Sequence, residues 1–110
     1  MNFKEYQKQA LTTVITTDDE LKDTLHWVLG LNGEAGEVAE KVKKIIRDKG
    51  GEISEEDKAE LAKELGDVLW YIAVFAHQMG YSLDDVAAQN LLKLKSRKER
   101  GVIGGSGDNR

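Results

Sequence analysis

Apolar side chains recur along this chain at intervals of three and four, and nowhere with the alternation of a half-buried strand. Phe3, Tyr6, Gln7, Ala10, Leu11 and Val14 lay out a first amphipathic helix over about Asn2 to Val14. A connection follows from Ile15 to Asp19, and Thr17-Asp18-Asp19-Glu20 has the form of a capping box for the next helix. That second helix runs to about Lys49, with Leu25, Val28, Leu31, Val38, Val42 and Ile45 along one side. Gly30, Gly33 and Gly36 each weaken it by roughly 1 kcal/mol relative to alanine, so they mark either a kink or a close backbone approach. Lys49-Gly50-Gly51 stops it. Ser54-Glu55-Glu56-Asp57 starts a third helix predicted to reach Met79, and Gly80 ends it. Ser82-Leu83-Asp84-Asp85 caps a fourth that extends to about Arg100. The pattern predicts an all-α fold: a four-helix bundle with short connections and mostly antiparallel neighbours. One domain is expected over 1–100, followed by a glycine-rich C-terminal tail, GVIGGSGDNR, over 101–110.

Composition narrows the picture. A chain of 110 residues exposes a larger share of its surface than a bigger protein would, so completion of the bundle by homo-oligomerisation, as a dimer or tetramer, is expected. The apolar flank from Trp70 to Val74 is the expected place for that self-association. There is no proline to break long helices and no cysteine for a disulfide or thiolate metal site. The opening MNFKEYQKQA has no apolar signal region, which together with the missing cysteines predicts a cytoplasmic protein. The longest apolar run, Val68 to Ala76, is far short of the ~20 residues that span a bilayer, so no membrane partner is expected. A net charge of −4 argues against a nucleic-acid partner, which calls for a basic face.

Against that background, two acidic pairs stand out: Glu34-Ala35-Gly36-Glu37 on the second helix and Glu64-Leu65-Gly66-Asp67 on the third. Acidic pairs at this spacing are common, and Glu20/Asp23, Glu37/Glu40, Glu52/Glu55 and Asp57/Glu60 share it. Position on the helical wheel separates the chosen two. Glu34 borders the arc of Trp27, Leu31, Val38, Val42 and Ile45, and Glu37 lies just outside it. Glu64 and Asp67 stand in the same relation to Leu61, Leu65, Val68, Leu69, Ile72 and Phe75. Antiparallel packing through these arcs brings both pairs to one rim of a shared core. Two unit charges about 4 Å apart repel by roughly 4 kcal/mol at an effective dielectric near 20, so such a cluster asks for a cation. Lys41 offsets one charge, not four. Oxygen-only ligands favour Mg²⁺, Mn²⁺ or Ca²⁺.

The strings Leu31-Asn32-Gly33-Glu34-Ala35-Gly36-Glu37 and Glu64-Leu65-Gly66-Asp67-Val68-Leu69-Trp70-Tyr71, followed by Asn90-x-x-Lys93-x-x-x-Arg97, resemble the MazG-like all-α nucleoside triphosphate pyrophosphohydrolases over about Leu25 to Arg100. The resemblance implies Mg²⁺-dependent hydrolysis of a ribo- or deoxynucleoside triphosphate between its α- and β-phosphates, with Mn²⁺ able to substitute. It implies Glu34, Glu37, Glu64 and Asp67 as metal ligands, with Glu37 or Glu64 also activating water. Lys93 and Arg97 are implied as holders of the β- and γ-phosphates, and Asn90 as a partner of a phosphate or sugar oxygen. Removal of unwanted nucleotides from the pool is the corresponding biological role.

Plainer readings compete at several positions. Lys93, Arg97 and their neighbours also suit a basic helix end facing the macrodipole. Trp27 is a candidate for stacking on the nucleobase, or else ordinary core. Asp108 and Arg110, behind the tail glycines, either fold towards substrate or stay disordered. A di-iron bundle is disfavoured because only Asp23-x-x-His26 approaches the Glu-x-x-His pattern. The remaining alternative is a non-catalytic helical oligomerisation or regulatory module that keeps the metal site.

Overall fold

The computed structural model describes residues 1–110 and contains four α-helices and no strand. Helix α1 spans Phe3–Ala10 and passes into a 3₁₀ turn, Leu11–Thr13; α2 spans Glu20–Lys49, α3 Glu55–Gln78 and α4 Leu83–Glu99. The all-α expectation holds, and the helix ends fall close to where local chemistry put them. Ser54 and Asp57 form a reciprocal capping box, the Asp57 N–H donating to Ser54 Oγ (3.1 Å) and the Ser54 N–H to Asp57 Oδ2 (3.0 Å). Ser82 Oγ accepts from the Asp85 N–H at 3.0 Å. Gly50, at φ +63°, closes α2 in the left-handed conformation that a side chain resists.

Two expectations at the first connection are corrected. The first helix is shorter than its apolar spacing suggests, because the chain tightens at Leu11 and turns extended at Val14 (φ −75°, ψ 135°). Thr17 does not cap α2; Asp19 does, accepting from the Lys22 N–H at 3.2 Å. Thr17 instead donates its N–H (3.0 Å) and hydroxyl (2.9 Å) to the buried Asp23, one turn inside the helix.

The long hairpin of α2 and α3 forms the body of the molecule, and α1 packs on α3 and on α4. At Gly30 the Tyr71 ring of α3 lies directly against the α2 backbone: a Cβ there would lie 2.2 Å from the ring, whereas Gly33 and Gly36 face open space. Helix α2 runs unbroken through all three, so close approach, not a kink, accounts for Gly30. Beside it, Trp27 is 2% exposed and stacks on His26, edge-on to Trp70. Where α1 and the start of α4 meet this part of α3, Ala10, Ala73 and Leu83 come together with Tyr6, Leu69, Trp70 and Ile72 packed around them. Gln7 pins this junction by donating to the carbonyls of Ala73 (3.0 Å) and Tyr81 (3.3 Å) and accepting from the Leu83 N–H (3.0 Å).

The wheel assignments need adjustment. Leu65, expected in the core arc of α3, is 58% exposed, and Leu25 and Val28 of α2 are exposed as well. The Trp70–Val74 flank, expected to meet a second copy, is largely covered within the chain: Ala73 and Val74 are buried and Trp70 donates its indole N–H to Thr13 Oγ1 (2.9 Å). Exposed leucines lie instead along α2 (Leu21, Leu25, Leu29) and α4 (Leu91, Leu92). No helix is long and apolar enough to cross a membrane.

Candidate metal centre and phosphate-binding face

Packing of α2 against α3 draws three of the four singled-out carboxylates together. One oxygen each from Glu34, Glu64 and Asp67 lies within 4.8 Å of the others. Glu37 stands outside this group, exposed on the next turn of α2. Partial desolvation, followed by the charges of Asp67, Glu64 and Glu37, raises the Glu34 carboxyl above its ordinary range. Within the protein, one lysine offsets part of this negative charge. Lys41 Nζ sits 3.0 Å from Glu64 Oε1 and 3.6 Å from Glu60 Oε2, and these carboxylates raise the ammonium's own pKa in return. The donor set is all carboxylate oxygen, partly exposed and in mutual reach, which fits a hard divalent cation and suits zinc or copper poorly.

Tyr6 of α1 reaches the same neighbourhood: partial burial and then the Asp67 charge push its phenol pKa up. Its sequence signal was only a helical period. Nothing local in the chain marks a tyrosine on one helix as a neighbour of a carboxylate on another.

Asn90 and Lys93 of α4 share a cavity of about 490 Å³ with Met79, Tyr81, Val86, Gln89 and Asp108. Lys93 Nζ lies 2.9 Å from Asp108 Oδ1. Arg97 does not line that cavity; it is 6% exposed and donates to the Asp108 backbone carbonyl and, at 3.2 Å, to its carboxylate. The tail is therefore folded onto α4, with hydrogen bonds from Lys93 and Arg97 holding the Asp108 carboxyl below its usual range. Trp27 forms one wall of a second cavity, of about 420 Å³, with Leu11, Val14, Asp23, Val74 and His77 also around it. The acidic group opens onto solvent and borders neither cavity.

Comparison with known proteins bears on what this arrangement does. The model of the MazG nucleotide pyrophosphohydrolase domain matches residues 22–102. The Gene 37 protein of Mycobacterium phage L5 is 54% identical over 114 residues that cover the whole of both chains. The uncharacterized protein YvdC of Bacillus subtilis (strain 168) is 42% identical over 71 residues, 60% of this chain and 67% of its own. Neither name states an activity. No solved structure matches the chain.

Proposed function

Since this chain belongs to the MazG nucleotide pyrophosphohydrolase family, we propose that it is a Mg²⁺-dependent hydrolase that cleaves a ribo- or deoxynucleoside triphosphate at the α–β bond to give the monophosphate and pyrophosphate. The observation that carries the reading is the convergence of Glu34, Glu64 and Asp67 across the α2–α3 hairpin, inside the matched region. These three would hold the cation, with Glu37 approaching from the adjacent turn; Mn²⁺ has the same preference for oxygen and would substitute. When bound, such an ion supplies charge neutralisation and Lewis-acid polarisation of the phosphoryl oxygens.

The protein's own groups divide the remaining work. Glu64 already accepts Lys41 at 3.0 Å, which leaves Glu37 the freer base to take the proton as water attacks. Lys41 keeps Glu64 oriented towards Glu34 and Asp67. Lys93 and Asn90, together along one cavity, bind phosphate and sugar oxygens, and Arg97, deeper on the same helix face, is the second phosphate ligand beside Lys93. Trp27, nearly inaccessible, acts on the nucleobase as a wall of its cavity and not as an open stacking face. The hydrolase domain is 1–100, and 101–110 is a strap laid on α4. Removal of unwanted nucleotides from a cytoplasmic pool is the role that fits such a reaction.

A second copy of the chain completes the unit in this reading. A compact monomer of this mass exposes roughly 6,000 Å² and has a radius of gyration near 13 Å. This chain exposes 8113 Å² and has a radius of gyration of 16.9 Å. Leu21, Leu25 and Leu29 along α2 are the exposed apolar positions that pairing would bury.

The test is product analysis with a panel of ribo- and deoxynucleoside triphosphates. Equimolar monophosphate and pyrophosphate, released only with divalent metal, support the reaction. Absence of release from every triphosphate would leave a non-catalytic helical module as the account of the same fold.

A further inference from the structure

The segment 101–110 is built to hold a shape. It leaves α4 through Gly101 at φ +70° and is clasped by its own Arg110. That guanidinium donates to the carbonyls of Val102 (3.1 Å), Ile103 (2.9 Å), Gly104 (3.1 Å) and Gly107 (2.6 Å). Arg100 donates in turn to the Arg110 carbonyl at 2.6 Å, tying the clasp to the end of α4. The result is that Asp108 arrives over Lys93 and Arg97. One of its carboxylate oxygens takes both cations, at 2.9 Å from Lys93 Nζ and 3.2 Å from an Arg97 nitrogen. Two cations converging on one anionic oxygen is also how proteins seat a phosphate oxygen. The Asp108 side chain is 78% exposed, so the two cations, not packing, hold its carboxylate in place.

We propose that Asp108 is a built-in competitor for the phosphate chain: its carboxylate occupies the Lys93–Arg97 pair, and a polyphosphate binds there by displacing it. This rests on the reading of Lys93 and Arg97 as phosphate ligands. The exchange does not require the strap to unfold. Arg97 also holds the uncharged backbone carbonyl of Asp108, and the Arg110 clasp is independent of the carboxylate, so only the side chain has to swing away. Until then the carboxylate keeps Lys93 at the cavity rim. A chain of several charged phosphate oxygens outcompetes one carboxylate, whereas a monophosphate competes less well. Discrimination in favour of the longer phosphate chain, and easier release of the shorter product, follow.

The experiment is calorimetric titration of tripolyphosphate into the full chain in excess EDTA, for the wild type, Asp108→Asn, Lys93→Met and the double variant. Asp108→Asn preserves shape and the backbone contact, and should tighten binding roughly three- to tenfold, the range expected from losing two competing ion pairs made by one largely exposed carboxylate. The gain should shrink in the Lys93→Met background, because the two side chains meet at the same oxygen. Unchanged or weaker binding by Asp108→Asn overturns the proposal, as does an undiminished gain without Lys93, or no binding by any variant. Amide exchange over 101–110 should show the strap equally protected in the wild type and Asp108→Asn. Loss of protection in the variant would mean that Asp108 is needed to hold the strap, and would also overturn it. No turnover enters the measurement. A chain that binds tripolyphosphate in this pattern but releases no pyrophosphate would keep this inference and lose the hydrolytic reading; the reverse result would do the opposite.

Discussion

Two sets of carboxylates on the same α2–α3 hairpin live under opposite conditions. At the closed end, Asp57 accepts from Lys49 Nζ at 2.9 Å and from the Ser54 backbone, and its carboxyl is pulled down to about 2. Half-way along, Glu34 faces Glu64 and Asp67 within 4.8 Å and its carboxyl is pushed up. Asp57 is a finished structural contact whose partners come from the chain itself. The Glu34 group is unfinished: Lys41 compensates Glu64, and the remaining repulsion is left standing. In the proposed reading, the hairpin satisfies its acids at one end and holds the three in the middle for a cation.

The largest effect should come from cutting into the unfinished set. Asp67→Asn or Glu64→Gln is expected to lower turnover at least about 100-fold, since even the partners that merely orient metal ligands are commonly worth 10–100-fold. The far-ultraviolet helix signal should persist. Wild-type rates in both variants would erase the difference between the two acidic sets.

Much of the framework behind this comparison was legible in the chain. Helix starts at Ser54 and Ser82 follow from cap chemistry within four residues, and the hairpin follows from two long apolar arcs with glycines between them. Contacts made between elements were less visible. Thr17 reads as a cap until Asp23 is seen to take both its donors, and Leu65 reads as core although α2 does not cover it. The Trp70–Val74 flank reads as free because the sequence does not say that α1 and the 3₁₀ turn lie against it. At the acidic site the same limit applies. The wheel placed both pairs near one rim, and only the packing separates Glu34, Glu64 and Asp67, which converge, from Glu37, which does not.

Next in size are changes that disturb how the hairpin holds its middle. Gly30→Ala drives a Cβ into the Tyr71 ring and should cost about 1–3 kcal/mol, the usual range for overpacking. Gly33→Ala, facing open space on the same helix, should instead stabilise by up to about 1 kcal/mol. Denaturant titration of the two would check this, and equal effects would remove the claim that Gly30 marks the close approach.

A smaller effect belongs to the satisfied end. Because the folded Asp57 carboxyl lies at about 2, below its ordinary range, its contribution is present in full above the unfolded value near ~3.9 and fades as pH falls towards 2. Asp57→Asn should therefore lower Tm at pH 7, with the gap to wild type closing in acid. A gap that stays constant from pH 7 to pH 2 would deny the ionic character of that contact.

The smallest effect sharpens the contrast most. With metal removed, Glu34→Gln relieves repulsion and should raise Tm slightly, the opposite sign to Asp57→Asn at neutral pH. Added Mg²⁺ should raise the wild-type Tm and leave the variant nearly unmoved. Thermal melts with EDTA and with Mg²⁺ read both parts, and a lower metal-free Tm for the variant would mean that Glu34 is structural.

The most direct measurement of the central claim is the product ratio from nucleoside triphosphate turnover, read with Mg²⁺, with EDTA, and in Asp67→Asn. The account predicts one pyrophosphate per monophosphate with Mg²⁺ and neither product in the other two cases. Release of orthophosphate in place of pyrophosphate, or pyrophosphate release that survives EDTA or Asp67→Asn, would contradict it.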